Sequence, residues 1–355
     1  MTLLIGRRYY RREMSEERRE LKAEASPGLR SGEIDRAADE SATPATQSQD
    51  IASHLGYVLR SMRPRQWTKS LIVFMALLFS INDRWEISEP SEWAPLLGWT
   101  ALTFVLFSVV SSADYLLNDV IDRESDRKHP EKRRRPIAAG QLSVRAALIW
   151  AGVLAALALG GGFALAGPLT WKIGATLSAY VVLMVAYTFV LKHIVLMDMM
   201  VIGAGFILRA MTGALAVDVP ISPWLYVVTA LGALFLVINK RRAELTLLES
   251  SAAEHRPILQ EYSVPLLDQI GALVTASTLI AYGLYTFTAE NLPENNAMML
   301  TIPFVLYGIL RYLYLVHTQD QGGSPEEVLL RDRPLMINIL LWLATAATVL
   351  VLYRD

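Results

Sequence analysis

A row of amide and acidic side chains follows one of the long apolar stretches of this sequence. Asn118, Asp122 and Asp126 are four residues apart, so an ideal helix places them on one face, with Asp119 beside them. Such oxygen ligands suit Mg²⁺, which commonly combines one or two carboxylates with the phosphates of a substrate. The spacing predicts an Mg²⁺ site formed by these four residues. Asp114, one turn earlier, either joins the site or lies hydrated at its rim.

A dense basic segment follows the acidic row. Cations beside metal-binding carboxylates could bind phosphate oxygens, so the pairing favours a diphosphate substrate. The alternative is a solvated loop of mixed charge, but here the acids come first, on one helical face, and the bases follow. The segment and the start of the next predicted helix contain eight cations: Arg123, Arg127, Lys128, Lys132, Arg133, Arg134, Arg135 and Arg145.

The composition is that of a membrane protein. Of the 355 residues 53% are hydrophobic and only 19% are charged, which is too apolar for an ordinary soluble domain. The net charge of −1 gives no overall positive field, so we expect no nucleic-acid partner. The absence of cysteine excludes disulfides, thiolate catalysis and cysteine-ligated metal sites.

Residues 1–54 are polar and contain few large apolar side chains, too few to offset the entropy of ordering. We predict a cytoplasmic tail that is disordered or transiently helical, followed by a polytopic membrane domain at 55–355. Most apolar segments of that domain approach the roughly 20 residues that cross a bilayer, which predicts an all-α integral membrane protein with about nine transmembrane helices. The segments are 70–81, 94–117, 146–166, 173–191, 195–217, 224–238, 264–287, 297–314 and 335–353.

The distribution of Lys and Arg predicts the orientation of these spans. With the N-terminus in the cytoplasm, the cations of the chain fall on the cytoplasmic side apart from four exceptions. Three of these, Arg84, Lys172 and Arg354, lie on the other side, and Arg209 lies within the fifth span. We therefore predict a multi-pass protein of the plasma or inner membrane, with the polar loops at the cytoplasmic face.

That orientation brings further polar residues to the side of the acidic row. Tyr187 and Lys192 end the fourth predicted span, and Lys240, Arg241 and Glu244 fit one helical face at the end of the sixth. One central pocket facing the cytoplasm could contain them all.

Arg209 is ionisable and would be costly against lipid, so it either serves this pocket or pairs structurally with a carboxylate. Small residues at 160–162, 203 and 205 favour close helix packing, within one chain or between chains, so oligomerisation stays open.

The segment 118–140, NDVIDRESDRKHPEKRRRPIAAG, resembles the first Asp-rich signature of the UbiA superfamily of intramembrane prenyltransferases. The resemblance rests on an N-D-x-x-D-x-x-x-D core and a trailing R-P-I-A-x-G, and it extends from about residue 62 to the C-terminus. It implies a UbiA-type bundle. Most members join a prenyl diphosphate to an aromatic ring and carry a second Asp-rich motif after the sixth span, where this chain has INKRRAELTLLE.

Together with MRPRQWTKS at 62–70 and LRDRPL at 330–335, this departure is similar to the decaprenyl-phosphate phosphoribosyltransferase branch. The resemblance implies transfer of 5-phosphoribose from phosphoribosyl pyrophosphate to a polyprenyl phosphate, with Mg²⁺ as cofactor and cell-wall arabinan precursors as the eventual product. The expected catalytic residues are Asp119, Asp122, Asp126 and Lys240. The expected substrate-binding residues are Lys69, Asn118, Lys132, Arg133, Arg135, Tyr187, Lys192, Arg209, Arg241 and Glu244.

Two alternatives lead to different functions. An aromatic prenyltransferase could use the same Mg²⁺ site for a prenyl diphosphate, although the missing second Asp-rich motif argues against it. A transporter or lipid-binding scaffold would place ionisable groups at the midplane and show repeated halves, whereas here the charges gather at one face.

Overall fold

The structure of the chain, a computed structural model, describes residues 44–164, 170–220, 223–248, 257–319 and 325–354. The chain divides into two units, Met1–Leu55 and Gly56–Asp355. Most of the predicted N-terminal tail lies outside the described residues, so its disorder stays a prediction.

The described residues form helices joined by loops and short 3₁₀ segments. The helices are α1 Pro44–Met62, α2 Met75–Leu78, α3 Pro90–Ile121, α4 Arg123–Lys128, α5 Val144–Ala164, α6 Thr170–Phe189, α7 Met197–Val217, α8 Pro223–Leu248, α9 Val264–Thr288, α10 Ile302–Thr318, α11 Pro325–Arg331 and α12 Arg333–Tyr353. The 3₁₀ segments are Pro64–Phe74, Lys132–Arg134, Leu191–His193, Pro257–Glu261 and Ala297–Thr301.

The all-α prediction is confirmed. Within the described ranges the only β-type pairing is one isolated bridge between Ile81 and Trp85. Seven helical stretches in this part of the chain are long and apolar enough to cross a membrane. They correspond to α3, α5, α6, α7, α9, α12 and Ala297–Thr318, which contains α10. The predicted count of nine is therefore not confirmed.

The outward faces of these helices are apolar, as a lipid environment requires. Ile149, Val182, Leu273 and Leu340 are each more than 60% exposed, a degree of exposure that a soluble protein avoids for contiguous large hydrophobic side chains. Such outward faces contact acyl chains when the bundle is in a bilayer.

Helix α7 lies at the centre of the bundle. It packs against α3, α6, α8 and the 3₁₀ segment Pro64–Phe74. The most apolar stretch of α7 is 56% buried inside the protein, whereas the corresponding stretch of α9 is 22% buried. Side chains of α7 can therefore face internal cavities from the middle of the molecule.

The first predicted span is short and distorted. Its residues form the eleven-residue 3₁₀ segment Pro64–Phe74 followed by the single turn α2. Runs of 3₁₀ helix beyond three or four residues are uncommon, so tertiary contacts must hold this one. A Cβ added at Gly213 of α7 would lie 2.2 Å from the Val73 carbonyl oxygen, so glycine permits this close approach.

Arg311 links α10 to the residue that caps α12. It lies inside α10, and its guanidinium donates to both carboxylate oxygens of Asp332, at 3.2 and 2.8 Å. Asp332 also caps α12 by accepting the Leu335 amide at 2.9 Å.

Candidate active site

A polar cavity of about 400 Å³ opens where α3 ends. Its walls come from α3, α4, α6, α7 and the segments that flank them. The lining residues are Arg63, Lys69, Asp114, Tyr115, Asn118, Asp122, Ser125, Asp126, Lys132, Tyr180, Met184, Tyr187, Lys192, His193, Ile202, Gly205, Phe206, Arg209 and Ile258.

Three of the four predicted metal ligands line this cavity. Asn118 donates its amide to Asp122 Oδ2 at 3.0 Å, as expected four residues apart on a helix. Helix α3 ends at Ile121, and the Asp126 amide bonds back to the Asp122 carbonyl at 2.8 Å, which continues the turn into α4. Asp126 therefore lines the same cavity as Asn118 and Asp122, although a helix break separates it from them.

Asp119 is placed differently. It is 2% exposed and is not among the cavity-lining residues in the described part of the chain. Its Oδ1 accepts hydrogen bonds from Arg63 and from Arg135, the latter at 2.9 Å. These contacts make Asp119 the common counter-ion of two arginines.

Cations contact the cavity acids directly. Lys192 Nζ lies 2.5 Å from Asp122 Oδ1, and Arg135 Nη1 lies 2.6 Å from Asp126 Oδ2. Burial raises the pKa of the Asp126 carboxyl above its ordinary value, while the adjacent Arg135 acts in the opposite direction. The cavity thus combines carboxylates with cations suited to phosphate.

The remaining predicted substrate-binding residues near the cavity lie partly in its lining and partly outside it. Lys132 and Lys69 line the cavity, and Tyr187 lines it from α6. Arg133 is exposed and is not part of the lining.

Arg209 lies in the cavity wall and is only 5% exposed. Its guanidinium donates to the Gly205 carbonyl at 3.0 Å, to Tyr180 Oη at 2.8 Å and to Ser111 Oγ at 3.1 Å. Its Nε is buried and has no hydrogen-bond partner in the structure. The geometry favours a role for Arg209 in the pocket over a structural ion pair with a carboxylate.

The predicted group on α8 lies elsewhere. None of Lys240, Arg241 and Glu244 is among the described residues that line the polar cavity. Arg241 is 2% exposed, and its Nε donates to Asp198 Oδ2 at 3.0 Å and its Nη1 to Glu244 Oε2 at 2.8 Å. Its charge is therefore compensated inside the protein, and the expectation that it shares this pocket is corrected.

Tyr262 completes this second network. Its hydroxyl donates to Asp198 Oδ1 at 2.7 Å and accepts the Leu196 amide at 2.7 Å. Burial, followed by the hydrogen bond to Asp198, raises the pKa of Tyr262 to about 12, so the hydroxyl keeps its proton. The network ties the start of α7 to the end of α8.

The sequence reasoning did not identify Arg63, Asp198 or Tyr262. Arg63 belongs to the quoted MRPRQWTKS segment, has the left-handed φ of 54°, and places its guanidinium carbon 4.9 Å from the Tyr115 ring centroid. Asp198 is the only acid of α7 and lies in its first turn, a signal that could have marked it. Tyr262 gave no local signal.

The residues fit a divalent cation only with the help of other ligands. Within the described residues, no three His, Cys, Asp or Glu side chains are grouped closely enough to hold a metal ion. Asn118 and Asp122 are nevertheless in direct contact, and Asp114 Oδ1 is buried in the same wall without a hydrogen-bond partner. A partial ligand set of this kind suits Mg²⁺, which retains water and takes substrate phosphates.

A second, larger cavity of about 990 Å³ lies beside the polar one. Most of its lining is apolar and includes Phe206, Phe235, Phe304 and Trp342. Leu335 near the start of α12 and Arg354 just after its end both line it, so the cavity follows this helix over much of its length. Its length and composition suit a hydrocarbon chain.

Comparison with known proteins shows one consistent similarity. The model of the UbiA prenyltransferase family matches residues 71–330. The decaprenyl-phosphate phosphoribosyltransferase of Mycolicibacterium smegmatis is 35% identical over 301 residues, which cover 81% of this chain and 90% of that protein. The protein of the same name from Corynebacterium glutamicum is 34% identical over 80% of this chain and 84% of its own.

Solved structures agree on the fold. The structure of a UbiA homolog from Archaeoglobus fulgidus bound to GPP and Mg²⁺ superimposes with a TM-score of 0.60 at 17% identity. The match covers 82% of this chain and 99% of that one. At this level of identity the likeness extends to the arrangement of the helices.

Proposed function

The chain belongs to the UbiA prenyltransferase family, and from this premise we propose that it transfers 5-phosphoribose from phosphoribosyl pyrophosphate to a polyprenyl phosphate such as decaprenyl phosphate, releasing pyrophosphate. The observation that carries the proposal is the identity of about 35%, over most of both chains, to relatives named for this reaction. The protein is a multi-pass membrane enzyme.

Asn118, Asp122 and Asp126 would hold a divalent cation, Mg²⁺, together with the pyrophosphate of the donor. The cation would supply positive charge where negative charge develops on the leaving group. In support, all three side chains face the polar cavity, and the solved relatives from Archaeoglobus fulgidus are described as bound to Mg²⁺ with GPP or DMAPP.

The cations of the cavity bind and orient the two anionic substrates. Lys132 contacts the donor phosphates, and Lys69 and Arg63 extend this positive surface from the segment before α2. Arg135 lies outside the cavity lining and supports the site through its ion pair with Asp126. Asp119 acts through Arg63 and Arg135, whose side chains it holds in place.

Tyr187 and Lys192 orient the lipid phosphate toward C1 of the ribose. A phosphate monoester is already ionised near neutral pH, so its oxygen attacks without a general base, and the C1–O bond to pyrophosphate breaks. Lys240, Arg241 and Glu244 would support the cytoplasmic ends of the helices, because the Asp198 network already compensates the Arg241 charge. This proposal replaces the catalytic role expected for Lys240 and the substrate-binding roles expected for Arg241 and Glu244.

The polar cavity would open to the cytoplasm. The excess of Lys and Arg on the side of the acidic row supports this orientation, and phosphoribosyl pyrophosphate is a soluble, highly charged donor. The product would supply precursors of cell-wall arabinan.

The test is an assay of the detergent-solubilised full chain with ribose-labelled phosphoribosyl pyrophosphate, decaprenyl phosphate and Mg²⁺. We expect label in the organic phase, loss of the transfer on adding EDTA, and recovery with excess Mg²⁺. Asp122→Ala should reduce turnover by on the order of 10²-fold or more, since it removes a ligand of the cation that stabilises the leaving group. Glu124→Ala, which removes an exposed acid of α4 whose ion-pair partner among the described residues is Arg127, is the matched control and should retain activity.

One result would contradict the proposed function. Prenylation of a phenolic acid by a prenyl diphosphate, with no label moved from phosphoribosyl pyrophosphate, would establish the aromatic prenyltransferase instead.

A further inference from the structure

The polar and the apolar cavities meet at one side chain. Among the described residues that line them, Phe206 is the only one common to both. It belongs to α7, the helix at the centre of the bundle. A molecule that occupied both cavities would therefore contact this residue.

The Arg209 guanidinium packs against this ring. The Arg209 guanidinium carbon lies 5.3 Å from the Phe206 centroid, 4.9 Å from that of Tyr180 and 5.1 Å from that of Phe107. Arg209 is itself fixed by its bonds to the Gly205 carbonyl and Tyr180 Oη. A buried guanidinium over an aromatic face is a favourable arrangement, so Arg209 stabilises the position of the Phe206 ring in the cavity wall.

The chemistry of the two cavities defines what can span them. One side carries Lys192, Lys69 and Arg209 and suits an anion, and the other is a long apolar space. A lipid phosphate has a charged head and a hydrocarbon tail. Its head belongs in the polar cavity and its tail in the apolar one, and the first isoprenoid unit lies at the boundary.

We propose that Phe206 is an acceptor-binding residue that packs against the isoprenoid unit next to the phosphate and so fixes where head and tail divide. This inference rests on the proposed function, because it concerns the acceptor of the same reaction. Phe206 contacts the substrate at a point shared by short and long acceptors alike. Side chains that line only the apolar cavity contact the rest of the tail.

The test compares Phe206→Ala with Phe304→Ala, a matched truncation of a side chain that lines only the apolar cavity. The full chain in detergent is assayed with decaprenyl phosphate and with geranyl phosphate. Phe206→Ala should raise KM for both acceptors by on the order of tenfold, the loss expected for one aromatic contact. KM for phosphoribosyl pyrophosphate should change less than about twofold in Phe206→Ala, because Phe206 contacts the acceptor. Phe304→Ala should raise KM for geranyl phosphate much less than Phe206→Ala does.

Phe206→Leu, which keeps most of the apolar volume, should give an intermediate KM and guards against misfolding of the alanine variant. Unchanged KM for geranyl phosphate in both folded Phe206 variants would overturn the proposal, as would an equal increase for geranyl phosphate in Phe304→Ala. If the unmodified protein moved no label to either lipid, the proposed function itself would fail, which is a separate result.

Discussion

Asp119 is buried between two arginines that come from different segments of the chain. Arg63 precedes the 3₁₀ segment Pro64–Phe74, and Arg135 follows the basic turn Lys132–Arg134. A carboxylate with two such partners is already neutralised, which leaves it poorly placed to bind a metal ion as well. The geometry favours a positioning role for Asp119 and a ligand role for Asn118, Asp122 and Asp126.

Asp119→Asn separates these roles. The amide keeps the shape but removes the charge that holds both arginines, so KM for phosphoribosyl pyrophosphate should rise on the order of tenfold, or about 1.4 kcal/mol. The Mg²⁺ concentration for half-maximal activity should stay unchanged, whereas Asp122→Asn should increase it. A shift in the Mg²⁺ requirement of Asp119→Asn as large as that of Asp122→Asn would identify Asp119 as a ligand instead.

At the scale of elements, the contact between Pro64–Phe74 and α7 decides the shape of the cavity. Lys69 reaches the cavity from the 3₁₀ segment, while Gly205, Phe206 and Arg209 reach it from α7. The two elements approach at Gly213, where any side chain would meet the backbone of Val73. Because backbone atoms cannot rotate away, the whole segment must move if that space is filled.

Gly213→Ala should therefore destabilise the protein and disturb the site. Overpacking of this kind costs about 1–3 kcal/mol, which should lower the thermal unfolding midpoint in detergent and raise KM for phosphoribosyl pyrophosphate. Gly283→Ala is the control, since a Cβ at Gly283 of α9 meets nothing within 4 Å and alanine favours the helix. Equal midpoints for the two variants would show that the 3₁₀ segment yields without cost.

At the scale of the whole molecule, one helical bundle presents three different surfaces. Its outer face is apolar, a polar cavity lies where α3 ends, and a long apolar cavity follows α12. This arrangement would allow the soluble, charged donor of the proposed reaction and a membrane lipid to meet without either leaving its own medium. The central helix α7 contributes to both cavities and so couples them.

The orientation of this bundle can be measured because the natural chain contains no cysteine. Arg134→Cys adds a single thiol to the basic loop, and Glu294→Cys adds one at an exposed position between α9 and α10. In intact cells a membrane-impermeant maleimide should label Glu294→Cys, and it should label Arg134→Cys only after permeabilisation. The reverse pattern would place the polar cavity outside the cytoplasm.

The sequence by itself determined the class of the protein and most of its local elements. Apolar segments long enough to cross a bilayer are read directly from composition, and the spacing of Asn118, Asp122 and Asp126 follows from helical periodicity. These features depend only on residues within a few turns of one another. They are retained in the folded protein because neighbouring residues have little conformational freedom once a helix forms.

Only the tertiary structure decided which charges face the substrates. The pairing of Asp119 with Arg63, 56 positions away, and of Arg241 with Asp198, 43 positions away, depends on how distant helices pack. The meeting of both cavities at Phe206 likewise requires the bundle to be assembled. The physical reason is that a charge or ring inside a membrane protein takes its role from the partner across the interface, and sequence spacing carries no record of that partner.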